Sequence, residues 1–264
     1  MYVVGCIALA ACGRLGFDGF GRTDGGDDSG GDTMPSNVCN RSAIAPEPLT
    51  IIGHAFQYLN FVGDLEGLPA NMIARSSPLG GVLASTTAAE DGAYQLAIGT
   101  GGVPQTVWLD ASIPGYFETK YWFDYALEHP IVGTFTPQLR PGDVPIWAAG
   151  ALNSVYNSGS AVRDDGRGTL IVTVLDCDEQ PVPDVTITLD PPLSTPTFVG
   201  PSGLFDLSAT TTLAPYSQGV FLNASTGAVT VHATHATHAF LPYDVSVSAG
   251  EAVSVVVLHT ADPS

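Results

Sequence analysis

The chain has 264 residues, with 8 Lys and Arg against 26 Asp and Glu and a formal net charge of −18. Nucleic acid and anionic lipid headgroups are both repelled by such a charge, so neither is an expected partner. Hydrophobic residues make up 45% and charged residues only 13%, which excludes a disordered chain and implies a buried core.

Val3 to Ala11 is a short apolar run ending in Leu9-Ala10-Ala11-Cys12. It is too short to cross a bilayer, suits the apolar region of a secretion signal, and has no Lys or Arg before it. Leu-Ala-Ala-Cys resembles the lipobox of bacterial lipoproteins. That resemblance implies loss of residues 1–11, acyl groups on Cys12, and a membrane partnership made through lipid alone. Gly13 rather than Asp follows the cysteine, which implies the outer membrane of the cell envelope.

Residues 12–40 read as a flexible acidic tether. Asp24-Gly-Gly-Asp27-Asp28-Ser-Gly-Gly-Asp32 has no apolar period, and glycine with like charges keeps such a segment extended. A calcium loop needs the spaced Glu and ordered Gly that this segment lacks, so a solvated linker is expected. Of the four cysteines, Cys6 leaves with the signal and Cys12 takes lipid. Cys39 and Cys177 remain, as a disulfide in an oxidising compartment or as two separate thiols.

From residue 48 to 140 the pattern predicts short strands at 49–56, 71–76, 83–87, 93–98, 107–112, 116–125 and 131–135, with a turn at Glu90-Asp91-Gly92. Residues 143–157 predict a linking helix: Asp143 can cap, Pro145 fits a first turn, and Ile146, Ala149, Leu152 and Tyr156 recur at helical spacing. A second series, within 166–261, predicts strands at 168–176, 184–189, 203–207, 219–222, 228–234, 243–247 and 253–258. Each series is about 100 residues, a β-sandwich size. The expected fold is all-β, with two tandem Ig-like or transthyretin-like sandwiches joined by a short helix.

The run Gly168-x-x-x-Val172-x-Val174-x-Asp176-x-x-x-x-Pro181-Val182-Pro183-Asp184-Val185-x-Ile187 resembles the opening of a carboxypeptidase regulatory-like domain. In the first series Thr86-Thr87, Asp91-Gly92-Ala93-Tyr94 and Gly115-Tyr116 carry further marks of that family. In the second, Ser202-Gly203-Leu204-Phe205 or Gln218-Gly219-Val220-Phe221 stands in for the turn, and Ala239-Phe240 replaces Gly-Tyr. The resemblance implies transthyretin-like sandwiches that are non-catalytic appendages, without a cofactor.

Two constellations are candidates for chemistry. His232, His235 and His238 offer three imidazoles, but on an extended strand His235 faces away from the other two. A turn on a sandwich rim is therefore expected, and no metal. Along Tyr116–Tyr125, Phe117, Tyr121, Phe123 and Tyr125 form one face. Tyr116 and Trp122 stand on the other among charged residues, a face able to bind a glycan or peptide or to be covered by the neighbouring domain. No Gly-x-Ser-x-Gly or His-Glu-x-x-His motif occurs. The expected function is a non-enzymatic surface spacer, scaffold or adhesion module. Glycan or peptide binding on the aromatic strand is the alternative, and an accessory role beside a hydrolase is a remote one. Cell-surface proteins or glycans are the expected partners.

Overall fold

The structure, a computed structural model, describes residues 44–58, 65–76, 80–135, 139–192, 194–250 and 252–261. The signal, the tether, Cys12 and Cys39 lie outside the described residues. The first series forms β1 (Leu49–Gln57), β2 (Glu66–Gly67), β3 (Asn71–Arg75), β4 (Val82–Thr87), β5 (Ala93–Ile98), β6 (Trp108–Ser112), β7 (Tyr116–Phe123), β8 (Ile131–Val132) and β9 (Val144–Ala148). After helix α1 (Ala149–Ser158) come β10 (Gly168–Leu175), β11 (Thr186–Asp190), β12 (Thr197–Val199), β13 (Phe205–Asp206), β14 (Gln218–Ala224), β15 (Gly227–Thr234), β16 (Tyr243–Val247) and β17 (Ala252–His259). Among the described residues the chain is all-β apart from this helix, as composition and strand spacing predicted.

A long sheet runs in the order β13-β12-β14-β10-β17-β7-β6-β3-β4. It passes from the second series to the first through β17. That strand pairs in parallel with β10, from Thr169↔Val253 to Leu175↔His259, and with β7, from Ala252↔Glu118 to Val257↔Phe123. The two series thus meet along a shared strand, a joint that the expected division at the helix did not include. The reason lies in the residues: every position of β10 and of β17 is buried. Strands covered on both faces read as near-continuous apolar runs, and Leu170–Leu175 and Val253–Leu258 are interrupted only by Thr173 and Ser254.

Alternation divides the core between the two faces of this sheet. One face carries Leu109, Tyr121, Phe123, Ile171, Val255 and Val257, covered by β1, β5 and β9 through Ile51, Leu96 and Ile146. The opposite face carries Trp108, Trp122, Leu170, Val172, Phe221 and Val256. Over that face lies a three-stranded sheet ordered β11-β15-β16, which contributes Ile187, Val231 and Val245.

The expected helix is corrected at its start. Residues 144–148 are strand β9, pairing with Ala55–Gln57 of β1 and with Tyr116–Phe117 of β7. Tertiary pairing overrides the local helical spacing, and Ile146 and Trp147 are fully buried there. Helix α1 then buries Leu152, Val155 and Tyr156. The Tyr156 hydroxyl lies 3.0 Å from that of Thr169 and accepts the Asn223 amide at 3.2 Å, fixing the helix to β10 and β14.

Asp143 also differs from its expected capping role. Fully buried, it accepts the backbone N–H groups of His54 at 3.1 Å and Phe135 at 2.6 Å, stapling β1 to the segment after β8. Burial pushes its carboxyl above the ordinary aspartate range, and those two hydrogen bonds pull against that. Close beside it, a Cβ on Gly53 would land on the Gly142 carbonyl, so the two backbones meet only because Gly53 has none.

Candidate functional site

The aromatic strand β7 alternates as its sequence predicts, but both of its faces are covered. Phe117, Tyr121 and Phe123 are buried in one core, while Trp122 is 5% exposed and belongs to the other. Of the two readings left open for the Tyr116 and Trp122 face, Trp122 takes the covered one. Tyr116 is half-buried at the other end of the strand, paired with Ala148 of β9. Trp122 sits opposite Trp108 of β6, their ring centroids 4.7 Å apart. The second β series supplies the cover, through Leu170, Val172 and Val256.

The two indoles nevertheless line a groove of about 510 Å³. Its floor is Val107, Trp108 and Trp122, and one wall is the consecutive run Pro242–Ser246. Side chains of a strand alternate between its faces, so five consecutive lining residues mean that the strand presents its edge. That edge is unpaired: β16 pairs with β15 and, among the described residues, with no other strand. Val245 and Val247 point into the core, Asp244 is exposed, and the Tyr243 hydroxyl donates to the Phe123 carbonyl at 2.6 Å. The Nε1–H groups of both Trp108 and Trp122 are buried without a hydrogen-bond partner. A buried donor in that state costs roughly 1–3 kcal/mol.

The histidine run spans β15 and the segment that follows it. His232 lies on β15 opposite Thr188. His235 Nδ1 accepts the backbone N–H groups of Thr237 and His238 at 3.2 Å each, and the His235 and His238 rings stand 4.9 Å apart. Turn formation thus occupies one His235 nitrogen. Among the described residues no group of three or more His, Cys, Asp or Glu side chains is placed to hold a metal.

One polar centre escaped the sequence reading. His259, at the end of β17, donates its backbone N–H to Asp124 Oδ2 at 2.6 Å and places Nδ1 2.8 Å from Asp124 Oδ1. Its Nε2 lies 3.4 Å from Glu179 Oε1. Glu179 belongs to the turn after β10, where Asp176 Oδ1 accepts the amides of Asp178 and Gln180 and Arg140 donates to the Glu179 carbonyl. Burial alone would pull the imidazole down. The charge and hydrogen bond of Asp124, with those of Glu179, overcome it and push His259 up to about 10. At neutral pH the centre is an imidazolium between two carboxylates. It joins β7, β17 and the turn after β10, and its geometry is that of a structural ion cluster. No local motif announces it, because Asp124 and His259 are 135 residues apart.

Cys177 lies in the same turn, its sulfur 3.8 Å from the Thr260 hydroxyl. Its expected partner, Cys39, lies outside the described residues.

Comparison with known proteins adds little to this geometry. No family model matches the chain, and no curated protein does. Among solved structures, the shaft pilin SpaA of Lactobacillus rhamnosus GG is 9% identical, with 82% of this chain and 99% of that one covered and a TM-score of 0.27. The Bacillus anthracis TIE protein is 10% identical at a TM-score of 0.25, with 80% of this chain covered. This chain spans about a third of that protein, 34% of its length. A streptococcal ancillary pilin is 11% identical, with 81% of this chain and 63% of that one covered and a TM-score of 0.24. At such scores the likeness assigns no activity, ligand or partner.

Proposed function

We propose that this chain is a non-enzymatic module of the cell surface, a rigid spacer or scaffold carried on a lipid at Cys12. The observation that carries this reading is the sheet joint. β17 is bonded in register to β10 along seven residue pairs and to β7 along six, so the two β series are coupled through hydrogen-bonded strands. Ladders of this kind resist relative motion in a way a single linking peptide does not. The ion cluster of Asp124, His259 and Glu179 closes the end of that joint.

The anchoring part of the reading rests on the Leu9-Ala10-Ala11-Cys12 motif and on the acidic tether after it. Among the described residues no helix is long and apolar enough to cross a membrane. In the same compartment we propose that Cys39 and Cys177 form a disulfide. Intact-mass analysis of the native protein is expected to show loss of residues 1–11 and acyl groups on Cys12. Unlipidated protein recovered from the soluble fraction would overturn the anchor. Pulling the folded chain from its two ends is expected to give one unfolding event. Two separate events, each releasing about half the chain, would overturn the rigid spacer, and turnover in a broad hydrolase panel would overturn the non-enzymatic part.

A second reading has its own observation. The groove over Trp108 and Trp122, with Asp244 at its side, supports binding of a flat-faced ligand of the peptide or glycan class.

A further inference from the structure

We infer that the groove is the berth of an added strand. An extended, basic peptide segment of a partner protein pairs with the free edge of β16 and lies across Trp108 and Trp122. The inference rests on the second reading above and names its ligand.

Three observations converge on it. First, the three-stranded sheet β11-β15-β16 ends one strand short of the surface beneath it. β15 and β16 cover the β10 and β17 side through Val231 and Val245, whereas Trp122 of β7 and Trp108 of β6 floor the open groove beyond β16. A strand placed about 4.8 Å beyond β16 lies over those two rings.

Second, the edge is disposed to receive it. In an antiparallel pair alternate residues turn both N–H and C=O away from the partner strand. The Ser246 carbonyl accepts the Ser254 hydroxyl from β17 at 3.3 Å, so Ser246 faces away from β15, and so does Asp244 two residues before it. The edge is only lightly protected: Pro242 precedes it and Asp244 is its single charge, while Tyr243-Asp-Val-Ser-Val247 has no bulge. Five residues of edge, about 17 Å, accommodate a segment of four to six residues.

Third, the chemistry of the groove selects the occupant. The Trp108 and Trp122 rings give a flat, apolar floor against which alternate side chains of an extended peptide pack. Among the described residues Asp244 is the one charged residue lining the groove, and it is exposed beside the edge. Together with a net charge of −18, it selects a basic side chain on the incoming strand and repels a second copy of this chain.

The test uses the purified folded chain and a library of capped nonapeptides in which β-branched residues alternate with random positions. Peptides enriched in Lys or Arg at the random positions are expected. They should shift the indole Nε1–H resonances of Trp108 and Trp122 and the amides of 243–246. N-methylation of alternate residues, which removes backbone donors without changing side chains, is expected to weaken binding at least tenfold. Ala228→Trp, an exposed position lining the groove, should abolish binding with the fold intact, and Asp244→Lys should weaken basic peptides at least fivefold. Peptides that bind equally well when N-methylated, or no enrichment over the Ala228→Trp protein, overturn the proposal. A β-1,4-linked glucan hexasaccharide is the parallel probe. If it alone shifts the indoles, strand addition is wrong and the binding reading survives. If neither probe does, both fall.

Discussion

Asp124 and His259 meet at 2.8 Å although 135 residues separate them, one at the end of β7 and the other at the end of β17. The contact closes the two-strand joint through which the β series share a sheet, and Glu179 completes it from the second series. Without its proton His259 would offer no positive charge to the two carboxylates that flank it.

The pH dependence follows from that proton. His259 is pushed up to about 10, above the ordinary imidazole value near 6.5 that it regains on unfolding. Its stabilisation is therefore fully present below about pH 6.5 and is lost as pH rises towards 10, and it amounts to a few kcal/mol. Urea denaturation at pH 6 and at pH 10 is expected to show a lower midpoint at the alkaline value. His259→Gln should flatten that difference, and Asp124→Asn, which strands a buried imidazolium, should cost roughly 3 kcal/mol at pH 6. An unchanged midpoint across this range contradicts the cluster.

Two glycines should respond with opposite signs. Gly53→Ala drives a methyl group into the Gly142 backbone and is expected to destabilise by about 2 kcal/mol or more. Gly150→Ala, in helix α1 with open space around its Cβ position, should stabilise by about 0.5–1 kcal/mol. Thermal melts of the two variants beside the parent chain provide the check.

Unfolding is expected to be a single cooperative transition, with near-UV and far-UV signals coincident. A boundary at the helix predicts two transitions, whereas the pairing of β7 with β17 predicts one. Calorimetric and van't Hoff enthalpies that agree would support the shared sheet, and two resolved peaks would contradict it.

Thiol titration decides the proposed Cys39–Cys177 bridge. Denatured, unreduced mature protein is expected to give no titratable thiol, and reduction should lower stability by up to ~4–5 kcal/mol for a loop this long. Two free thiols mean that the bridge is wrong.

Much of the architecture was legible because strand periodicity survives in the sequence. The alternation in Ala93–Ile98 marked a strand, which is buried on one face, while Val253–Leu258 was read as a strand without its cover on both faces. Residues 144–148 misled because Pro145 and the helical spacing of Ile146 and Ala149 are local signals, overridden by pairing with β1 and β7. The face assigned to Tyr116 and Trp122 was correctly separated from Phe117 and Tyr121, yet periodicity identifies a face without saying what covers it. The groove combines residues from β6, β7 and β16, and the ion cluster joins positions 124, 179 and 259. Such long-range juxtapositions leave no local spacing to read.

The position of β17 also sets an order of events. It is the last described strand to be made, yet it occupies the middle of the long sheet, with β10 on one side and β7 on the other. Neighbouring strands that precede it have nowhere to bury their facing edges until residue 259 is available, and the contacts then formed with β7 span more than a hundred residues. Closure by such distant segments is slow. A chain emerging from a ribosome or a translocation channel therefore stays incomplete until this strand arrives, and a product truncated before Ala252 never reaches the native state.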